Sequence, residues 1–428
     1  MINFKNRVSF FLFLVILLSF FLGFFLNENS AGGGPLDFKA EWKNHLLLKE
    51  NIFAFIYDHN YHESKLPLFA ITIIKFFPFI SSKFDFRLVV FFFSLIFFYL
   101  FYLNLKKKFP YKDTYVYLLS ANLLLLSPYF RTSSFWGLQE NLSYILFLFT
   151  IYLDNNFFYK HKKYLIMLIA ILSFYADQKF FIVSIIYFFK YLNYQFILSK
   201  KNIFLTIYCL ILTIPSFIVF YFWQGPTPYW TAAQGLGGLA RVVFNISGIF
   251  NMLQILSIYL LPFYLIKKKF IFKDIYLDFI RLIDKNYLYY FLIVSVCAFV
   301  YLFQPSYSTG GGAIHKVFLL INKKSELLSS LFFMFFTLFS LSIIYLFLKD
   351  YKKNIYLSAF LFYFVLISLV VFPLFQEYFD PFIYVVIFFF LIKKNEDYLA
   401  FKNLFFLNIY FITFLIGCNI YYSFYRIY

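Results

Sequence analysis

The chain has 428 residues, 63% of them hydrophobic and only 14% charged, against about 45–50% and about 25% in soluble globular domains. That balance excludes a water-soluble enzyme and calls for an integral membrane protein. The net charge of +18 comes from lysines in short blocks between apolar runs rather than in one patch, which argues for membrane orientation and against nucleic acid as a partner.

The first apolar run, Val8 to Leu26, follows Lys5 and Arg7. It is close to the ~20 residues that cross a bilayer and longer than the ~7–15 of a signal-peptide core, and no convincing cleavage motif follows. It is expected to stay as a span with its N-terminus in the cytoplasm. Residues 27–87 then read as a first extracytoplasmic loop. Three glycines, Gly32 to Gly34, loosen the chain, and Pro35 suits the first turn of a helix, where its missing N–H has no partner to lose. Asp37, Glu41 and His45 recur every four residues along that helix, so they share one face. The segment Leu66 to Ile80 is interrupted by Lys75 and Pro78 and reads as a re-entrant or interfacial helix rather than a full crossing.

Beyond this loop the lysine blocks set the expected topology, because cytoplasmic loops collect Lys and Arg. Lys106 to Lys108 with Lys112, Lys160 to Lys163, Lys200 and Lys201, Lys267 to Lys269, Lys349 to Lys353, and Lys393 with Lys394 are assigned to the cytoplasm. Between them lie hairpins whose turns, Ser127 to Asn141, Asp177 to Lys179, Trp223 to Arg241, Gln304 to Lys324 and Pro373 to Asp380, are extracytoplasmic. With a last run from Leu404 to Tyr422, the expected fold is an all-α, polytopic transmembrane bundle of about thirteen spans. No internal repeat is visible, and residues 1–428 read as one integral-membrane domain in a bacterial inner membrane. Cys209, Cys297 and Cys418 lie far apart in apolar runs, so neither a disulfide framework nor a zinc site is expected.

Chemistry-bearing residues gather in the extracytoplasmic turns. Asp37 is the first candidate for a general base, although an acidic residue in the first turn also stabilises a helix dipole by ~0.3–1 kcal/mol. Glu41 and His45 join it. The same stripe with His59 and His62 offers enough ligands for a divalent cation, but lacks standard zinc spacing; no cofactor is otherwise expected. Arg131, Lys179, Arg241 and Lys316 stand on the side where cations are disfavoured, which either a bound phosphate or snorkelling to lipid headgroups explains. His315 beside Lys316, and Gln178, Gln376, Glu377 and Asp380, complete the candidates as substrate ligands, with helix capping as the competing account of Asp380.

In this order the motifs resemble the polytopic glycosyltransferases of the GT-C superfamily, which use polyprenyl-phosphate-linked sugars. Asp37 and Glu41 match the acidic position just past the first span. The runs YDHNYHESKLPLF, SFYADQKFFIVSIIYF and FQEYFDPFIYVV are similar in order to segments of the dolichyl-phosphoglucose-dependent glucosyltransferases. The chain departs from that pattern at Asp177-Gln178-Lys179, where the family has Arg before Gln, and in separating Asp37 from Glu41. The resemblance implies inverting sugar transfer from a polyprenyl-phosphate donor to a glycan or lipid-linked acceptor hydroxyl at the extracytoplasmic face. Asp37 or Glu41 would then act as base, and the four cations would hold phosphate. Two rival classes remain: a lipid-linked oligosaccharide flippase or transporter, and a surface-polysaccharide polymerase or ligase.

Overall fold

The computed structural model describes residues 4–61, 63–156, 161–192, 199–230, 241–242, 244–284, 310–351, 354–393 and 397–425. It is helical throughout apart from one pair of two-residue strands. Six of the described helices are long and apolar enough to cross a membrane, as befits a multi-pass membrane protein. They are α1 (Phe4–Phe25), α5 (Lys83–Lys108), α11 (Lys200–Trp223), α12 (Ser247–Lys267), α15 (Glu326–Leu348) and the helix that opens at Phe401. Most of the lysine blocks fall at helix ends: Lys106 to Lys108 close α5, Lys200 and Lys201 open α11, Lys267 closes α12, and Lys349 follows α15. The chain divides into two compact units, residues 1–239 with 415–428, and residues 240–414.

In the first unit, α1 packs on α6 (Thr114–Leu125), and α5 packs on α8 (Glu140–Asn156), which in turn packs on α9 (Lys162–Ala176). Phenylalanines fill the seams by stacking offset or edge-on, the arrangement their ring quadrupoles favour. Phe20 of α1 lies 5.4 Å from Phe91 of α5 and 5.5 Å from Phe130 of α7 (Pro128–Phe135). Asn104 of α5 reaches across to the Leu148 carbonyl of α8 at 2.9 Å, so a polar side chain inside the bundle finds an interhelical acceptor.

The segment after α1 folds as the glycines and proline dictate. Gly33 adopts φ 79° and caps α2 (Gly34–Glu50), and Pro35 sits in the first turn, one residue from the expected start. The face that α2 buries carries Gly34, Phe38, Glu41, Asn44, His45 and Leu48, so two ionisable groups are turned inward among apolar ones. After α3 (Ala54–Tyr57), a loop leads to α4 (Leu68–Phe76), which buries Phe69, Ala70 and Ile73. Its nine residues rise only about 14 Å, less than half of the ~30 Å hydrocarbon core, so α4 does not cross the membrane. Ser82 and Asp85 then form a reciprocal capping box that starts α5. The short helix α10 (Phe181–Tyr191) follows α9 through the 3-10 turn Gln178–Phe180.

In the second unit α12 packs on α14 (Gly312–Asn322), α15 and α16 (Ile355–Val370). Gln254 of α12 donates to Thr337 of α15 at 3.0 Å, and Ser257 meets Ser340 at 2.8 Å. These short polar side chains bind the two helices where apolar contact alone would not discriminate between helix and lipid. The helix α13 (Phe272–Asp284) lies between α12 and α14 in sequence. Strand β1 (Arg241–Val242) runs antiparallel to β2 (Val371–Phe372), with Arg241 opposite Phe372. The short α17 (Phe382–Val386) follows that second strand. Cys209 and Cys418 are free thiols, while Cys297 lies outside the described residues.

Candidate functional site

Four segments of the first unit bring carboxyl and ammonium groups together. Glu41 comes from α2, Tyr61, Glu63 and Lys65 from the loop before α4, Glu140 from the first position of α8, and Asp177 and Lys179 from the turn after α9. The four carboxyl side chains are buried, none more than 8% exposed. Lys65 forms an ion pair with Glu140, and Lys179 reaches Asp177 at 3.1 Å. The Lys179 ammonium also sits 5.7–5.9 Å from the ring centres of Tyr129, Tyr144 and Phe180, which replaces some of the hydration it loses on burial.

The loop is held over this cluster by backbone-directed bonds. Gln178 donates to the carbonyls of Ser64 and Pro226 at 3.2 Å each and accepts from the Leu66 N–H at 3.3 Å. Trp230 donates to the Tyr61 carbonyl at 3.0 Å, Trp223 to that of Phe55 at 2.8 Å, and Tyr61 to that of Lys65 at 3.1 Å. Tyr61, Trp223 and Trp230 belong to one buried apolar group with Leu48, Phe55 and Leu66. The carbonyls of Tyr61, Ser64 and Lys65 thus find side-chain donors within the protein, which fixes the backbone that carries Glu63 and Lys65.

Burial and neighbours drive the carboxyl groups apart. Loss of solvent and the charges of Glu63, Glu140 and Asp37 hold Glu41 well above the ordinary carboxyl range, against the opposing charge of Lys65. Glu63 is raised by burial too, although Lys65 and the Ser64 N–H at 2.9 Å work against it. Glu140 goes the other way. Burial pushes it up, but Lys65 and Lys179 together overcome that and bring it to about 2. One surrounding thus raises the proton affinity of Glu41 and Glu63 and lowers that of Glu140 to about 2, so Glu140 is the member of the set that carries negative charge at neutral pH.

The structure separates the residues nominated from sequence. Asp37 is exposed in the first turn of α2, its carboxylate folded back towards Gly33. It influences Glu41 only as the smallest of the charges around it. His45 is buried but points elsewhere: its ring stacks on Trp42 at 5.4 Å and meets Phe86 edge-on at 5.2 Å. Burial, then Lys49, lowers it to about 4, so it is neutral. The expected Asp37, Glu41 and His45 stripe is one helical face with three environments, because successive positions along α2 meet different neighbours. Arg131 is taken up by Glu28, with bonds of 2.7 and 2.5 Å, by the Ser19 carbonyl at 2.8 Å, and by the rings of Phe20 and Phe135. Lys179 belongs to Asp177, and Gln178 braces the loop, so in this unit the expected phosphate-binding cations already have protein anions.

The remaining candidates belong to the second unit. Gly310, Gly311 and Gly312 all take positive φ, and the Gly311 N–H donates to the Leu374 carbonyl at 2.6 Å. A side chain at Gly310 would collide with that same carbonyl, so the glycines let the start of α14 press against the 373–376 segment. Buried His315 stacks on Phe318 at 5.6 Å, and Lys316 is half-buried. Gln376 donates to the Tyr259 hydroxyl at 2.6 Å. Glu377 is half-buried, and Asp380 is fully buried ahead of α17. The N-cap position of that helix is taken by Pro381. The Arg241 backbone enters the ladder beside Phe372, while its side chain lies outside the described residues.

Sequence reasoning passed over Glu63, Lys65, Glu140 and Asp177 as individual site residues. Each stood in a stretch already singled out as polar, HESK, LQEN and ADQK, yet in a linear chain nothing tells which carboxylate of a turn faces inward. Among the described residues no group of three or more His, Cys, Asp or Glu side chains is disposed to hold a metal ion. His59 stacks on Trp230 at 5.1 Å, and His62 lies outside the described residues. No protein-family model, curated protein or solved structure matches the chain.

Proposed function

We propose that the chain is a multi-pass membrane glycosyltransferase that moves a sugar from a polyprenyl-phosphate donor to an acceptor hydroxyl at the extracytoplasmic face, with Glu41 as general base. The observation that carries this reading is the buried carboxyl set in which the proton affinities of Glu41 and Glu140 are driven in opposite directions by one surrounding. Carboxyl groups with divided proton affinities are how acid and base roles are assigned in many enzyme sites. A base works best when its proton affinity lies near the working pH. Burial moves Glu41 in that direction, whereas Glu140, held by Lys65, has too little affinity for a proton. Asp37 is better read as the dipole partner of α2. Lys65 is the less buried member of its pair, with 18% of its side chain exposed against 2% for Glu140, and is the cation of this cluster that a phosphate oxygen can approach. Arg241 and Lys316 keep that candidacy in the second unit.

A second reading has one observation in its favour. Buried carboxyl groups with raised proton affinity also serve proton-coupled transport in membranes, so a lipid-linked saccharide transporter fits Glu41 and Glu63. Reconstituted protein supplied with polyprenyl-phosphate sugar separates the classes. A transferase releases polyprenyl phosphate, a polymerase or ligase supplied with its own donor releases the diphosphate, and a transporter releases neither. Glu41→Gln should lower release by roughly 10²–10⁴-fold, the range of general-base contributions, while Asp37→Asn keeps most of it. Loss confined to Asp37→Asn would return the base role to Asp37.

A further inference from the structure

The helix α13 is assembled the wrong way round for a surface in water. Helices on a soluble protein turn their charged face out and their apolar face in. Here the acidic Asp278 is buried at 7% exposure, while Phe272 and Tyr276 are 83% and 65% exposed. Residues two apart on an α-helix are turned about 200° from each other, so Phe272 and Tyr276 stand opposite Asp274 and Asp278. The inward side is fixed by charge. Lys268 meets one oxygen of Asp278 at 2.5 Å, Lys349 lies 4.0 Å from the other, and the Tyr264 hydroxyl donates at 3.1 Å. Lys268 and Tyr264 come from the end of α12 and Lys349 from just beyond the end of α15, so the acid ties α13 to the ends of two membrane-spanning helices.

The turn that leads into α13 fixes its level. Lys269 and Phe270 take φ 50° and 60°, a left-handed conformation that non-glycine residues rarely adopt. Phe270 donates back to the Leu265 carbonyl and Lys269 to that of Ile266, at 3.0 and 2.8 Å. A tight turn therefore ends α12, and only four residues separate it from α13, too short a length in which to leave the bilayer boundary. The thirteen residues of α13 rise about 20 Å, too little for a crossing of ~30 Å. Lys269 in the turn and Lys273 next to Phe272 are exposed, so their ammoniums can reach headgroups while their stems stay in the apolar layer.

We propose that α13 is a membrane-surface helix whose Phe272 and Tyr276 face is seated in the acyl–headgroup boundary of the bilayer, with Asp278 as the latch that orients it. Interfacial helices of this kind bury their apolar face about 5–10 Å into that boundary. The occupant is lipid, since the helix issues directly from a span and its lysines flank the apolar side. The proposal is independent of the transferase reading.

The test uses the full chain with its three cysteines replaced, carrying Tyr276→Cys or Asp274→Cys, labelled with an environment-sensitive nitrobenzoxadiazole dye and placed in nanodiscs of phosphatidylethanolamine and phosphatidylglycerol. The label at 276 should emit to the blue of the label at 274 and be quenched by lipids brominated near the headgroup end of the acyl chain more than by lipids brominated near its terminus. Adding Asp278→Asn should reduce the difference between the two labelled positions. Water-like emission at 276 would overturn the proposal. So would blue-shifted emission that brominated lipid does not quench, because that is the signature of a protein-covered face.

Discussion

At the scale of single residues, the buried carboxyl set makes stability depend on pH in two opposite ways. Glu41 has its proton affinity raised above the ordinary 4.5, so the folded state binds a proton that the unfolded state releases. Stability contributed this way is complete below the ordinary value and falls as pH rises towards the folded one. Glu140, lowered to about 2, does the reverse, and its contribution is present above 4.5 and lost as pH falls towards 2. In detergent, the Glu41 contribution should therefore make the melting temperature decline as pH rises above 4.5 towards the raised value. Glu41→Gln should flatten that decline, because Gln keeps the hydrogen-bonding shape of the protonated acid without the ionisation. A variant whose melting curve tracks the parent at every pH would show that Glu41 ionises freely in the fold.

Arg131 gives a second prediction at this scale. Its guanidinium is 3% exposed and bonded to Glu28, and Glu28 also accepts from Asn419 at 3.2 Å. Removing one member of a buried pair strands the other, at about 3–5 kcal/mol. Arg131→Gln should thus unfold the protein at markedly lower temperature, whereas Arg131→Met with Glu28→Leu should recover much of the loss. If Arg131→Gln instead melts like the parent and raises the KM for lipid donor, the arginine serves phosphate after all. Sequence singled out Arg131 as a cation that needs a partner, but the identity of that partner, 103 residues away, is a property of packing that no local pattern encodes.

At the scale of elements, what the sequence made legible was whatever depends on neighbours along the chain. Gly33 and Pro35 start α2 because one supplies a left-handed cap and the other a preset first turn. Lys75 and Pro78 limit α4 to a short helix. The division of the Asp37, Glu41 and His45 face was not legible, because Glu63, Lys65 and Glu140 reach Glu41 from other segments, while Trp42 and Phe86 enclose His45. The same rule applies to the seam between α12 and α15, where Gln254, Thr337, Ser257 and Ser340 look unremarkable in sequence yet face one another in pairs. Interhelical hydrogen bonds in membranes average about 0.6 kcal/mol and reach about 1.7. Gln254→Leu should cost within that range, and combining it with Thr337→Val should add little, since both remove one bond. Full additivity of the two losses in a thermal double-mutant cycle would mean that each side chain is held by something else.

At the scale of the whole molecule, function depends on which side of the membrane receives the Glu41 cluster. The helix α5 carries the relevant geometry. Its 26 residues rise about 39 Å, enough to cross the hydrocarbon core with some tilt. The segment holding Glu41, Glu63 and Lys65 precedes its N-terminus, and Lys106 to Lys108 close its C-terminus. Loops rich in lysine are retained in the cytoplasm, so the first loop is expected on the other side. Asn60 and Lys107 are both exposed and flank this one span, which makes them a direct pair of reporters. In a cysteine-free background, Asn60→Cys should react with a membrane-impermeant maleimide added outside intact cells, and Lys107→Cys only after permeabilisation. The opposite pattern would put the Glu41 cluster in the cytoplasm, where soluble nucleotide sugars are available. It would remove the reason for a lipid-borne donor. Equal reaction at both positions without permeabilisation would mean that α5 does not cross, and the loop before it could not then be assigned to either face.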